Sequence, residues 1–281
     1  MLCSFLVFST IIVAYFIQKV KGVREFYNFF SRLPLIFFTK IKKLCIIYIK
    51  IIKLGLYERM ITEIVLLVLE IVGTIAFAVS GAFVAIKVRF DIFGVLVIGC
   101  LTAVGGGIVR DILIGATPPA IFSKLYIIAI ATVTAFAVFI IAYYHRKHFD
   151  QTREKIEHIN NIFDAIGLAV FTASGTELAF VYGLADNAFL AVTLGVLTGV
   201  GGGVLRDILT ETSPYIFKKH VYALASILGA TLYFLLRLFT ENNVLPSAVA
   251  SVFIITIRVL ATKYRWSLPK IQLLNEQENN K

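Results

Sequence analysis

The sequence predicts an all-α integral membrane protein: seven transmembrane helices, arranged as two inverted three-helix repeats plus a seventh helix. Three observations predict it. The 281 residues are 59% hydrophobic and only 16% charged, too apolar for a soluble globular chain. From Met60 onward the chain carries seven apolar runs, each near the ~20 residues a helix needs to cross the hydrocarbon core. And Gly105-Gly106-Gly107-Ile108-Val109-Arg110-Asp111-Ile112-Leu113 returns as Gly201-Gly202-Gly203-Val204-Leu205-Arg206-Asp207-Ile208-Leu209.

Residues 1–59 read as a basic, apolar extension. The formal charge of +10 is concentrated there: 10 Lys and Arg stand against 2 acids, leaving 17 against 15 in the rest. Because the remainder is nearly neutral, the charge does not point to a nucleic-acid partner. Leu2 to Ile17 is slightly short for a span, and Leu35 to Leu56, with Lys40, Lys42, Lys43, Lys50 and Lys53, suits a helix lying on an anionic membrane surface. Met60 directly precedes the first full-length run, and the Ile/Lys-rich composition before it points to a mis-set start codon.

The spans are expected at Ile64 to Ile86, Ile92 to Ile114, Ile121 to Tyr144, Ile162 to Tyr182, Ala188 to Thr210, Val221 to Phe239 and Leu245 to Ala261. Helices are the natural choice, because unpaired backbone groups are costly in lipid. Loops after the first, third, fifth and seventh spans carry Lys87, Arg89, Arg146, Lys147, Lys218, Lys219, Lys263 and Arg265, whereas Gly115 to Ala120, Gly183 to Asn187 and Thr240 to Val244 carry no Lys or Arg. Positive-inside bias puts the tail, residues 263–281, in the cytoplasm.

The repeat extends beyond the glycines. Glu70, Gly73, Phe77, Ser80 and Gly81 align with Asp164, Gly167, Phe171, Ser174 and Gly175 at an offset of 94, and the triplets follow at 96. The units are therefore 60–150 and 151–240, with 241–262 as the seventh helix. Three is odd, so the second unit enters from the opposite side and the halves are inverted.

Each glycine costs about 1 kcal/mol of helix propensity relative to Ala, and hydrocarbon disfavours the Arg-Asp pairs that follow. Gly105, Gly106 and Gly107, with Gly201, Gly202 and Gly203, fall near mid-bilayer and are the candidate pore kinks, where loosened carbonyls can replace part of a cation's hydration shell. The alternative is that they let helices approach closely. Arg110 and Arg206 need neutralising partners beside a cation path, and Asp111 and Asp207 supply them, with a crosswise pairing, Arg110 to Asp207 and Arg206 to Asp111, as one arrangement. Ser80 and Ser174 are candidate pore-lining hydroxyls. Glu70, Asp164 and Glu177 are candidate vestibule acids. Arg258 is near a span end and is expected to snorkel. Cys3, Cys45 and Cys100 read as small apolar residues. With no Ser/His/Asp set, P-loop or metal spacing in the sequence, neither an enzyme nor a cofactor or metal site is expected.

The paired motifs GGGIVRDIL and GGGVLRDIL, preceded by EIVGTIAFAVSGA and DAIGLAVFTASGT, closely resemble bacterial members of the trimeric intracellular cation channel family; the same duplicated module also goes under the name of a glycine transporter domain. The resemblance covers roughly Ile61 to Thr262. It implies a homotrimer in the lipid bilayer of the bacterial inner membrane, a pore in each protomer at the kinked second and fifth helices, and permeation of K⁺ and Na⁺. A secondary transporter of glycine or another small amino acid is the alternative, since broken helices in inverted repeats suit both. Animal members bind a phosphoinositide through a basic motif on the fourth helix. Ile162 to Tyr182 has no Lys or Arg, so that property is not carried over.

Overall fold

The computed structural model describes residues 35–145, 153–213, 221–240, 242–264 and 266. It divides into two units, Met1–Met60 and Ile61–Lys281, each taken by itself. In the first, the backbone is helical from Leu35, where α1 (Leu35–Lys87) begins; the apolar run Leu2 to Ile17 lies outside the described residues.

The second unit is helical. The spanning part of α1 (Met60–Lys87) is followed by α2 (Ile92–Leu113), a 3₁₀ turn at Ala120–Phe122, α3 (Leu125–Tyr144), α4 (Arg153–Val181), α5 (Ala188–Leu209), α6 (Tyr222–Phe239) and α7 (Val244–Lys263). Seven segments are long and apolar enough to cross a membrane, and the described residues contain no strand. Two boundaries differ from expectation. The third span starts at Leu125 because Pro118 and Pro119 lead into the 3₁₀ turn, which leaves Lys124 at the helix N-cap. The fourth helix starts at Arg153 rather than Ile162. Asp164 therefore sits three turns inside it, not at its end.

The repeat governs the helix ends as well as the spans. Asp91 caps α2 by accepting from Gly94 N at 2.7 Å, and Asn187 caps α5 by accepting from Leu190 N at 3.0 Å. Both offset and chemistry match, since a short polar side chain satisfies an amide with no intrahelical partner. Just past the last residue of each helix the chain turns left-handed, at Gly115 (φ 71°) after α2 and at Glu211 (φ 53°) after α5. In each, the next residue closes back on the motif aspartate: Ala116 N to Asp111 O and Thr212 N to Asp207 O, both 2.9 Å. The left-handed terminator is the same, but only the first copy uses glycine for it.

Within each repeat, small residues bring the first two helices together. A Cβ at Gly81 would meet Thr102 Oγ1 and the Ile98 carbonyl; a Cβ at Gly175 would meet Thr198 Oγ1 and the Leu194 carbonyl. Between repeats, α1 crosses α4 antiparallel, with Phe77 stacked on Phe171 at 5.3 Å and each ring lying against the other helix's glycine, Gly167 or Gly73. α7 packs on α4 and α6. Phe93, Val133, Phe189 and Phe239 face outward on the protomer, as expected where the surroundings are hydrocarbon.

Candidate functional site

α2 and α5 cross at the two glycine triplets. Each helix continues through its triplet, and each glycine has a distinct neighbour. A Cβ at Gly106 would strike the Thr198 carbonyl oxygen, and one at Gly202 would strike that of Thr102. The first glycines face the partner helix too: a Cβ at Gly105 would lie 2.7 Å from Leu205 Cδ1, and one at Gly201 would lie 3.1 Å from Gly106 Cα. The third glycines each have their own arginine's guanidinium folded back to 3.7 Å from the Cβ position, but at Gly203 the Tyr222 hydroxyl lies nearer, at 2.9 Å, whereas Gly107 has only Arg110. The close-approach reading of the triplets is thus realised in the geometry, main chain against main chain.

At the C-terminal end of α5 the motif arginine is sealed in. Arg206 Nε donates to Asp207 Oδ1 at 2.8 Å, while Nη1 donates to Asp164 Oδ1 at 2.8 Å and to Ser80 Oγ at 2.6 Å. Arg206 and Asp164 side chains are both 0% exposed. Arg258 of α7 stands behind them, Nη2 3.9 Å from Asp164 Oδ2 and its guanidinium carbon 4.7 Å from the Tyr222 ring centroid. Two arginines and two aspartates are buried together. Each charge is tolerable only because the others are there.

At the C-terminal end of α2 the same motif is looser. Arg110 bonds its own neighbour, Nε and Nη2 to Asp111 Oδ1 at 2.9 and 2.8 Å, and Asp111 Oδ2 accepts from Ala120 N at 2.9 Å. The Arg110 side chain keeps 12% of its surface exposed. By the repeat, Glu70 and Ser174 would complete this end as Asp164 and Ser80 complete the other. Instead Glu70 takes Lys124 Nζ at 2.8 and 3.1 Å and the Tyr126 hydroxyl at 3.2 Å, and Ser174 is exposed. Glu70 is one methylene longer than Asp164, which lets its carboxylate reach the helix terminus that carries Lys124.

Several expectations are corrected by these positions. Each motif arginine pairs with the aspartate after it, not crosswise, because consecutive residues at a helix end can form a short side-on ion pair. Asp164 is no vestibule acid but the interior anion of Arg206. Glu177, the other candidate vestibule acid in the second repeat, is engaged as well: it accepts from Tyr233 Oη at 2.8 Å, Arg237 Nε at 3.1 Å and Asn243 Nδ2 at 3.0 Å, tying α4 to the α6–α7 connection. Arg258 does not snorkel; it is buried. Lys124 was legible only as a lone cation at the edge of the third apolar run, and its partner Glu70 only as the repeat counterpart of Asp164.

Two inverted triple-helix units meeting at a glycine crossing, with an Arg-Asp pair on either side of it, define a duplicated membrane module. The family model described as Glycine transporter matches that module twice, at residues 67–143 and 161–237, and the chain belongs to this family. Relatives include the UPF0126 inner membrane protein YadS of Escherichia coli K12, 36% identical over 73% of this chain and 95% of that protein. Another is the UPF0126 membrane protein YvgT of Bacillus subtilis, 35% identical over 72% and 94%. Solved structures place the same module among TRIC channels. A prokaryotic TRIC channel crystallised in 0.5 M KCl matches with a TM-score of 0.65 and 32% identity, over 73% of this chain and 100% of that one. A TRIC trimeric intracellular cation channel orthologue from Rhodobacter sphaeroides matches at 0.64 and 29%, over 72% and 99%.

Proposed function

We propose that the protein is a channel for the monovalent cations K⁺ and Na⁺, a homotrimer of the bacterial inner membrane with a path through each protomer along the α2/α5 crossing. The observation that carries the reading is the glycine crossing with an ionised Arg-Asp pair at either end, on a chain whose solved relatives are described as cation channels. The glycine triplets form the narrow point, the carbonyls of Thr102 and Thr198 turn toward it, and Arg110–Asp111 and Arg206–Asp207 flank it. Ser80 and Ser174 are hydroxyls on opposite sides. Residues 60–150 and 151–240 act as the two inverted units, 241–262 as the added helix, and 1–59 as an accessory segment. The basic loops put residues 263–281 on the cytoplasmic side; Lys124 at the opposite end has its charge paired with Glu70.

A second reading is supported by one asymmetry. The α5 end is sealed while the α2 end keeps Arg110, Glu70 and Lys124 partly exposed, which is how a carrier of glycine or another small amino acid looks when open to one side. Purified protein in planar bilayers under a KCl gradient, alongside labelled-glycine uptake into proteoliposomes, separates the two. Ohmic unitary currents reversing near the K⁺ potential support the channel; saturable glycine uptake without them overturns it.

A further inference from the structure

The two ends of the crossing share a backbone frame but not a side-chain arrangement. The glycine contacts match pairwise: a Cβ at Gly73 would meet Val170 and Phe171 and one at Gly167 would meet Phe77, while Gly106 lies on the Thr198 carbonyl as Gly202 lies on that of Thr102. Glu70 is three residues before Gly73, and Asp164 three before Gly167. The matched frame therefore sets the main chain of Glu70 beside Arg110 as it sets that of Asp164 beside Arg206. At the α5 end the place is filled, since Arg206 Nη1 donates to both Asp164 Oδ1 and Ser80 Oγ. At the α2 end Arg110 commits Nε and Nη2 to Asp111. Neither its Nη1 nor the Ser174 hydroxyl has a hydrogen bond among the described residues. The nitrogen that holds a carboxylate at one end stands free at the other. There is room beside it as well. Ser174 is exposed on the protomer, and a Cβ at Gly107 would meet only Arg110 Nη2, at 3.7 Å, where Gly203 has the Tyr222 hydroxyl at 2.9 Å. At the repeat offset of 95, the place of Tyr222 is taken by Ile127, which carries no hydroxyl.

We propose that Glu70 is a two-position arm: held by Lys124 and Tyr126 it leaves the α2 mouth uncovered, and swung onto Arg110 Nη1 and Ser174 it closes that mouth as Asp164 closes the α5 end. Its consequence for conduction rests on the channel reading above. Asp164 and Ser80 supply the template, one carboxylate oxygen shared by a guanidinium nitrogen and a serine hydroxyl. Glu70 has the same chemistry with one more methylene, so a change of side-chain rotamer is enough and the helices need not move. The two positions are close in free energy, as a switch requires. The Lys124 position is weakened by water, because the Lys124 and Glu70 side chains are 43% and 25% exposed. The Arg110 position offers a stronger, less exposed partner but strips water from the carboxylate. The α5 end has no such freedom, since Asp164 and Arg206 are wholly buried.

The test is open probability in single-channel recordings under KCl for the wild type, Lys124→Gln, Glu70→Asp, Ser174→Ala and the Lys124→Gln/Ser174→Ala double variant. Lys124→Gln removes the outer partner, and Glu70→Asp gives the arm the length of Asp164. Each is expected to lower open probability by about fivefold or more, the low end of coupling between interacting sites. Ser174→Ala is expected to raise it, and the double variant to return toward the wild type. Open probability at or above the wild-type value in Lys124→Gln or Glu70→Asp overturns the inference, and if one of the two yields no folded protein the other decides. A second readout needs no current. Melting temperatures of Glu70→Gln, Arg110→Gln and both together are measured with Lys124 present and in the Lys124→Gln background. The shifts are expected to be non-additive chiefly in the second, where the carboxylate has moved to Arg110; equal coupling in the two backgrounds overturns the inference. A wild type that passes no K⁺ current overturns the channel reading, and the melting cycle then decides the arm alone.

Discussion

Ser80 and Arg206 lie 126 residues apart on different repeats, and the Ser80 hydroxyl accepts from Arg206 Nη1 at 2.6 Å in a fully buried setting. This is the bond that ties the first repeat's α1 to the second repeat's α5 at the sealed end. Its repeat counterpart, Ser174 with Arg110, is not formed. The two ends of the crossing therefore differ in the strength with which they are closed, even though the motif is the same.

That difference is measurable as stability. Arg206→Gln removes the cation shared by Asp164 and Asp207, leaving buried charge without its partner, and is expected to cost about 3–5 kcal/mol. Arg110→Gln, where the side chain keeps 12% of its surface exposed and serves one carboxylate rather than two, is expected to cost less, about 1–3 kcal/mol. Thermal unfolding in detergent of the two purified variants checks the ranking. Equal losses would contradict the sealed-end description.

The glycine triplets should rank by position. Ala at Gly106 or Gly202 drives a methyl into a main-chain carbonyl that has no rotamer to yield, and a loss of about 1–3 kcal/mol is expected for each. Gly107→Ala meets only the flexible Arg110 guanidinium at 3.7 Å. It is expected to be neutral or slightly stabilising, because helix propensity favours Ala by about 1 kcal/mol. Melting temperatures of the three variants give the comparison.

Glu211 holds the left-handed position that Gly115 holds in the first copy. Side chains there cost about 1–2 kcal/mol, so Glu211→Gly is expected to stabilise by roughly 1 kcal/mol and Gly115→Ala to destabilise by a similar amount. Opposite shifts in melting temperature are the expected readout.

Glu70→Gln leaves Lys124 with an unpaired positive charge at the α2 end. K⁺ conductance in this variant is expected to fall at low ionic strength and to recover at about 1 M salt, where the Debye length is only about 3 Å. A deficit that persists at high salt would place Glu70 in direct contact with the ion.

The span count, the duplication and its inversion were legible because each rests on patterns longer than a helix: seven apolar runs, and offsets of 94 and 96 that hold from Glu70 to Leu113. The asymmetry was not. Whether a carboxylate at the same aligned place joins the motif arginine, as Asp164 joins Arg206, or leaves for Lys124, as Glu70 does, depends on one methylene and on where α3 begins, and the apolar pattern registers neither. Arg258 escaped for a related reason. Near a helix end an arginine usually reaches water, and only the packing of α7 on α4 shows that Asp164 is closer. The triplets, read as candidate pore kinks or as places of close helix approach, are where the backbones of α2 and α5 meet.

Since Gly106 lies on Thr198 and Gly202 on Thr102, the centre of the α2/α5 crossing is main chain against main chain, with no rotamers at those two points to absorb a shift. Two rods in such contact behave as a balance beam: tilting them apart at Arg110 presses them together at Arg206. A molecule pivoting there would trade the width of one mouth against the other, with the glycine seam as its fulcrum.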